Sequence, residues 1–206
     1  MNLAGGLGDW LSQPLWWLVM HSTAGGGRAG GVLRVWTWWE HRYLRHHHVT
    51  QVEDGSVLRF EVRHHRGPTV ALADGTRVHR GDRIVELHLA NNTVAPDVDT
   101  PGWSPFQVIT SARGDLEILA RLVTTGRLGS VVALHAVSLI APALARLGFE
   151  VVPLESTLRN RLLHFYLVGL LAVYHPDGWK AAGRARRGSW PSEAWISARG
   201  LTNIGS

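Results

Sequence analysis

Two residues capable of acid–base chemistry lie close together in the middle of the chain, and three further polar residues flank them. Glu86 and His88 are two positions apart in a segment that has the pattern of a β-strand. Because side chains alternate along a strand, the carboxylate and the imidazole should project from the same face. Such a pair can bind a divalent metal or act as an acid and a base in hydrolysis. Asp82, Asn91 and Asn92 are then candidate ligand-binding residues that would orient a bound molecule.

The same pattern also has a purely structural explanation. Apolar residues alternate with Glu86 and His88 and would form the buried face of the strand. The two polar side chains would then lie on a solvated face of an antiparallel sheet, paired across strands with Arg59, Arg63 or Arg83. The sequence leaves both interpretations open, a functional site and a solvated sheet face.

The other histidines are weaker candidates. His135 follows the predicted strand 131–134, and the carboxyl ends of such strands often border a ligand crevice, so His135 is a candidate ligand-binding residue. A single histidine in apolar surroundings is also commonly a hydrogen-bonded core residue. The runs 46–48 and 64–65 consist of adjacent histidines, whose side chains point in different directions. Such runs bind transition metals adventitiously rather than in a preformed site.

Composition limits the class of protein. The 206 residues include no cysteine, which excludes disulfides and thiolate metal sites and agrees with a cytoplasmic location. The net charge of +5 favours anionic partners. The basic residues are nevertheless scattered, and no nucleic-acid-binding signature occurs, which argues against a nucleic-acid partner. No apolar run reaches the roughly 20 residues of a membrane-spanning helix, and the N-terminus lacks the basic segment of a signal peptide.

Two apolar segments are candidate attachment surfaces. Residues 3–20 are rich in tryptophan and would bind a membrane surface or another protein, or pack simply onto the domain. The apolar segment Leu162 to Tyr174 precedes several basic residues. That segment is either an interfacial helix or a core helix under a sheet, and the need of any α+β fold for such a core helix favours the second explanation. We therefore expect a cytoplasmic protein, either free or peripheral to the membrane.

Periodicity predicts an α+β domain. A Trp- and Gly-rich segment, 1–31, precedes a single domain, 32–206, that begins with an apolar helix over 32–44. Period-two alternation then predicts an antiparallel meander of three strands over 57–62, 69–72 and 84–89.

The second half of the domain has a mixed pattern. Ser111 resembles the N-cap of a helix. A strand–helix–strand unit follows over 131–153, and a long apolar helix follows over 157–174. The chain then continues with a basic loop over 180–188 and a last strand over 194–197. The fold class is thus α+β, with a small mixed or antiparallel sheet packed with helices.

Several short motifs resemble those of a known bacterial family, the YkoP-like domains. The resemblance covers roughly residues 32 to 201. The motifs occur in the family's order and comprise Asp74-Gly75-Thr76, Gly81-Asp82, Glu86-Leu87-His88-Leu89 with Asn91, Leu147-Gly148-Phe149-Glu150-Val151 and Ala194-Trp195-Ile196-Ser197-Ala198-Arg199.

The resemblance implies a context rather than a reaction. Domains of this kind occur alone or attached to polysaccharide deacetylase domains, which implies an accessory or binding domain in bacterial envelope polysaccharide metabolism, with a glycan or an envelope enzyme as its partner. This chain has no deacetylase domain of its own. Two alternatives remain: a small metal-dependent or acid/base hydrolase that uses Glu86 and His88, and a peripheral membrane adaptor that uses residues 3–20.

Overall fold

The computed structural model describes residues 49–90, 105–174 and 178–204. They belong to a unit that spans Val49–Ser206. The predicted helix 32–44, the Trp-rich residues 3–20, the histidine run 46–48 and the candidate residues Asn91 and Asn92 lie outside the described residues.

Eight strands are present in the described ranges: β1 Thr50–Gln51, β2 Leu58–His64, β3 Val70–Ala71, β4 Arg77–Val78, β5 Arg83–Leu89, β6 Val131–Ser138, β7 Glu150–Pro153 and β8 Ser192–Ser197. Six of them form one sheet in the order β1-β2-β5-β6-β8-β7, and β3 pairs with β4 in a separate hairpin. In the sheet, β5 and β6 are parallel, whereas the other neighbouring strands are antiparallel. The sheet is therefore mixed, which confirms the predicted fold class.

The helices of the described ranges are α1 Pro105–Thr124, α2 Ala141–Leu144, α3 Leu158–Tyr174, α4 Gly178–Gly188 and α5 Ala198–Thr202. A 3₁₀ turn, Ala145–Leu147, extends α2 and ends at Gly148, whose φ of +86° is the left-handed conformation that glycine adopts most easily. Within the described ranges, no helix is long and apolar enough to cross a membrane.

One face of the sheet is apolar and carries the main core. Leu116 and Leu119 of α1 belong to the same buried cluster as Val85 of β5, Leu134 of β6 and Ile196 of β8. These residues follow the period of two in the strands and of three to four in the helix, so the pattern in the sequence explains the packing.

The other face is partly covered by the β3–β4 hairpin. Leu72 and Val78 of the hairpin pack on Ile84, Ala133 and Trp195, which lie on β5, β6 and β8 respectively. The predicted meander is therefore wrong in its order: β2 pairs directly with β5, and the hairpin between them lies outside the main sheet.

Two further expectations are corrected by the structure, and a third is confirmed with an added strand. Ser111 lies inside α1, which begins at Pro105, because proline at the first position of a helix has a favourable φ and no N–H to satisfy. The predicted basic loop 180–188 is part of α4, since alanine and arginine are strong helix formers. The predicted strand–helix–strand unit is present, with β8 inserted between β6 and β7.

Candidate functional site: a buried carboxylate–imidazole pair

A buried, hydrogen-bonded carboxylate–imidazole pair lies on the polar face of the sheet. Glu86 of β5 and His135 of β6 are direct partners in the parallel register. The Nδ1 atom of His135 lies 2.8 Å from the Oε2 atom of Glu86. The same oxygen lies 3.0 Å from the Nη2 atom of Arg63 on β2. Glu86 and His135 are only 8% and 6% exposed, so the pair is shielded from bulk water.

Glu86 is held in its ionised form by its neighbours. Burial by itself would raise the pKa of Glu86, but the hydrogen bond from His135 and the electrostatic attraction of His135, Arg63 and His88 together outweigh this effect. The net result is a pKa below the ordinary value of 4.5. An ionised carboxylate accepts hydrogen bonds, so Nδ1 of His135 is the protonated donor and Nε2 remains as the second functional nitrogen of the ring.

An indole ring fixes the imidazole from its side. The ring centroids of His135 and Trp195 are 4.0 Å apart with an interplanar angle of 30°. Trp195 is 3% exposed and also meets the ring of His65 edge to face at 5.5 Å. The Nε1 atom of Trp195 donates to a carboxylate oxygen of Glu193 at 3.1 Å. The imidazole is therefore held by a carboxylate on one strand and an aromatic ring on another.

The β3–β4 hairpin is tied to the same part of the sheet by a polar latch. The hydroxyl of Ser197 donates to Oδ2 of Asp74 at 2.5 Å, and the backbone N–H of Thr76 donates to Oδ1 of Asp74 at 2.9 Å. A second contact joins the backbone N–H of Ala73 to Oε1 of Glu150 at 2.8 Å. The latch therefore joins segments that are up to 123 positions apart in sequence.

A family profile described as the YkoP domain matches residues 29–204. The chain belongs to the YkoP family. No match is found among curated proteins or among solved structures.

Four of the five motifs that carried the resemblance converge in the YkoP domain. Asp74 of the first motif contacts Ser197 of the last, and Glu150 of the fourth contacts the backbone beside Asp74. Glu86 of the third motif binds His135, which stacks on Trp195 of the last motif. Much of the shared pattern is thus explained by contacts that hold the hairpin and the polar face together.

The YkoP domain places the predicted pair differently from either initial interpretation. Glu86 and His88 project from the same face, as alternation predicts, but Glu86 is buried, so the solvated-face interpretation is wrong for this residue. The expected cross-strand ion pair is present with Arg63. The hydrogen-bonded partner of Glu86 is His135 rather than His88. His88 is half-buried and lies opposite Arg59 on β2.

Asp82 lies apart from this centre. It precedes β5, where its side chain accepts a hydrogen bond from the backbone N–H of His79 at 2.6 Å and its carbonyl accepts one from His65. It is four residues from Glu86, about 13 Å along an extended strand. Asp82 therefore shapes the turn in this structure and does not join Glu86. A role in ligand binding stays a prediction.

The described ranges contain no group of three or more histidine, cysteine, aspartate or glutamate residues placed to hold a metal ion. In addition, the oxygen of Glu86 that binds His135 also binds the guanidinium of Arg63, so a cation there would meet a positive neighbour. The divalent metal suggested for Glu86 and His88 stays a prediction.

Trp195 and His65 were not among the predicted site residues. The contact of Trp195 with His135 depends on which strands are neighbours in the sheet. β8 lies beside β6, and Trp195 pairs with His135 although the two residues are 60 positions apart in the chain. The one available signal was the position of Trp195 within the last of the resembling motifs.

The latch makes a prediction about Ser197. Its hydroxyl is both the N-cap of α5, accepting from the N–H of Gly200 at 2.7 Å, and the largest cause of the lowered pKa of Asp74. Ser197→Ala should therefore raise the pKa of Asp74 toward its ordinary value and reduce the free energy of unfolding by about 1 kcal/mol. The part that depends on Asp74 is present above its unfolded pKa and is lost as the pH falls through the folded pKa. Carboxyl ¹³C NMR titration measures the pKa.

Ser156→Ala is the matched control for this experiment, because it removes an exposed hydroxyl elsewhere in the domain. It should leave the titration of Asp74 unchanged. An unaltered Asp74 titration in Ser197→Ala would contradict the latch.

Proposed function

We propose that this YkoP domain is a non-catalytic binding domain whose recognition centre is the Glu86–His135 pair, and that it is an accessory domain in bacterial envelope polysaccharide metabolism. The observation that supports the binding centre is the state of the His135 ring. Its Nδ1 is anchored to Glu86, whereas its Nε2 is buried and has no hydrogen-bond partner among the described residues.

A buried ring nitrogen with no partner calls for a polar group to satisfy it, since buried polar atoms in proteins are nearly always hydrogen-bonded. With Nδ1 protonated, the neutral ring presents Nε2 as an acceptor. The group that fits is therefore a donor such as a hydroxyl. Carbohydrates are rich in hydroxyl donors, and the family's association with polysaccharide deacetylases points to the same class of ligand.

Arg63 connects the Glu86–His135 pair to the surface. The side chain of Arg63 is 46% exposed while its guanidinium contacts the buried carboxylate of Glu86. A ligand that approaches along β2 would meet a positive group first and the imidazole behind it. This arrangement supports recognition of a polar molecule at the edge of the cluster.

An acid/base hydrolase is the second candidate, and the carboxylate–imidazole geometry is the observation that favours it. A carboxylate that fixes one ring nitrogen leaves the other positioned to accept a proton from a nucleophile. In such an enzyme Glu86 would orient His135 and His135 would act as the base. This assignment gives His135 the role that the sequence alone suggested for His88.

The binding proposal is tested with two defined sugars, the tetramer of N-acetylglucosamine and its fully deacetylated counterpart. Imidazole ¹⁵N spectra of the full chain should show a saturable shift at Nε2 of His135 with one or both sugars. His135→Ala should abolish the binding isotherm, because it removes the acceptor that the ligand satisfies.

His79→Ala is the matched control, because His79 is an exposed histidine of the hairpin. Saturable binding that this control retains and His135→Ala loses would support the proposal. The absence of a saturable His135 shift with either sugar would contradict a glycan ligand. Release of acetate or shorter sugars in the same samples would favour the hydrolase.

A further inference from the structure

Helix α3 exposes an apolar stripe. Leu158, Leu162 and Phe165 are 76%, 41% and 55% exposed, although large apolar side chains are usually buried. They occupy positions i, i+4 and i+7, which lie on one face of an α-helix. The exposed residues therefore form a continuous stripe rather than scattered single residues.

The flank of α3 beside the stripe is already occupied. Val168 of α3 belongs to a buried cluster with Ala182 and Ala185 of α4. His164 is buried on the same side and contacts the ring of Trp190 edge to face at 5.1 Å. The packing of α3 within the domain thus uses one face and leaves the stripe outside it.

The two helices carry a concentrated positive charge. Two cations lie in α3 and four in α4, and neither helix contains an aspartate or a glutamate; the cations are Arg159, Arg161, Lys180, Arg184, Arg186 and Arg187. These six charges exceed the net charge of +5 of the whole chain. The positive balance of the protein is therefore concentrated in one helical pair.

The arginines of α3 are placed symmetrically about the stripe. At about 100° per residue, Arg159 and Arg161 fall on opposite sides of the line through Leu158, Leu162 and Phe165. Both arginines are exposed. The first two turns of α3 consequently present apolar side chains flanked by guanidinium groups, an arrangement suited to an anionic membrane surface.

We propose that α3 and α4 form a docking surface for an anionic lipid bilayer, with the stripe of Leu158, Leu162 and Phe165 inserted among the headgroups. The flanking guanidinium groups complement lipid phosphates, and the apolar side chains distinguish a bilayer from a nucleic acid, which would use the charge alone. This surface is formed by residues other than Glu86 and His135 and other than residues 3–20. The proposal therefore concerns where the domain is located, whereas the proposed function concerns which ligand it binds.

Vesicle co-sedimentation of the full chain tests the proposal. The protein should associate with vesicles made of equal parts of phosphatidylcholine and phosphatidylglycerol, and more weakly with phosphatidylcholine alone. Phe165→Glu should reduce the partition coefficient on the mixed vesicles by roughly tenfold, because it places a carboxylate in the middle of the apolar stripe. Phe165→Leu should retain the binding, because it keeps an apolar side chain at that position.

Thr125→Glu is the control for net charge, because it adds the same charge at an exposed position at the end of α1. It should bind mixed vesicles as the unaltered protein does, and circular dichroism should show that all three variants are folded. Failure to bind mixed vesicles, equal binding to both kinds of vesicle, or undiminished binding by Phe165→Glu would overturn the proposal. Tight binding to a DNA duplex without binding to vesicles would replace it with a nucleic-acid surface.

Discussion

Replacing Glu86 by alanine should lower the free energy of unfolding by about 3 kcal/mol at neutral pH. The variant leaves the buried ring of His135 without the carboxylate that binds Nδ1, and it removes the partner of Arg63. Loss of one member of a buried pair costs far more than loss of an exposed ion pair, because the remaining polar group stays away from water. Denaturation by urea, followed by far-ultraviolet circular dichroism, measures this change.

The loss should also depend on pH in a defined direction. The folded-state pKa of Glu86 lies below its ordinary value of 4.5. Its contribution to stability is therefore fully present above the unfolded value and is lost as the pH falls through the folded pKa. The difference between Glu86→Ala and the unaltered protein should be largest near neutrality and should shrink in that acidic range.

Two further variants separate charge from shape. Glu86→Gln keeps the size of the side chain and an acceptor for His135, so it should destabilise the domain less than Glu86→Ala. Glu155→Gln neutralises an exposed carboxylate and should stay within about 0.5 kcal/mol of the unaltered protein. If Glu86→Ala lowered the free energy of unfolding no more than this control, the contacts of Glu86 with His135 and Arg63 would not stabilise the fold.

The strands were predictable where alternation extends over several residues. β2 is seven residues long, and its buried positions follow the period of two. β5 is equally long and has apolar residues at alternate positions, but it is buried at four consecutive positions because the hairpin covers part of its other face. β1 and β4 contain only two residues, which is too short for any period to be visible. α4 was mistaken for a loop because its charges suggested a solvated segment, whereas Ala182 and Ala185 bury a narrow face against α3.

The candidate site was only half predictable. Alternation fixes the face to which Glu86 points, but the identity of its neighbour depends on which strands are adjacent. His135 is 49 positions away and meets Glu86 because β5 and β6 are parallel neighbours. Burial of a charged residue also contradicts the usual rule for strands with one polar face, and it is tolerated here because Arg63 and His135 satisfy the carboxylate. No local pattern contains that information.

Trp195→Ala should be the most destabilising single change on the polar face, with an expected loss of about 4 kcal/mol in the free energy of unfolding. The indole is almost fully buried and supports three structures at once: the ring of His135, the ring of His65 and the apolar underside of the hairpin. Truncation removes those contacts and leaves a cavity between two strands and the hairpin. Trp195→Phe keeps an aromatic ring and should lose less than half as much.

Trp190→Ala is the control for the loss of a tryptophan side chain as such. Trp190 is only half-buried, yet its Nε1 also donates a hydrogen bond, to the carbonyl of Leu154 at 2.6 Å. If the loss of any one tryptophan had the same effect, the two alanine variants would have the same free energy of unfolding in urea. A larger loss for Trp195→Ala, together with a changed ¹⁵N spectrum of His135 in Trp195→Phe, would show that the indole both stabilises the sheet and sets the position of the imidazole. Equal losses and an unchanged spectrum would mean that Glu86 alone positions His135.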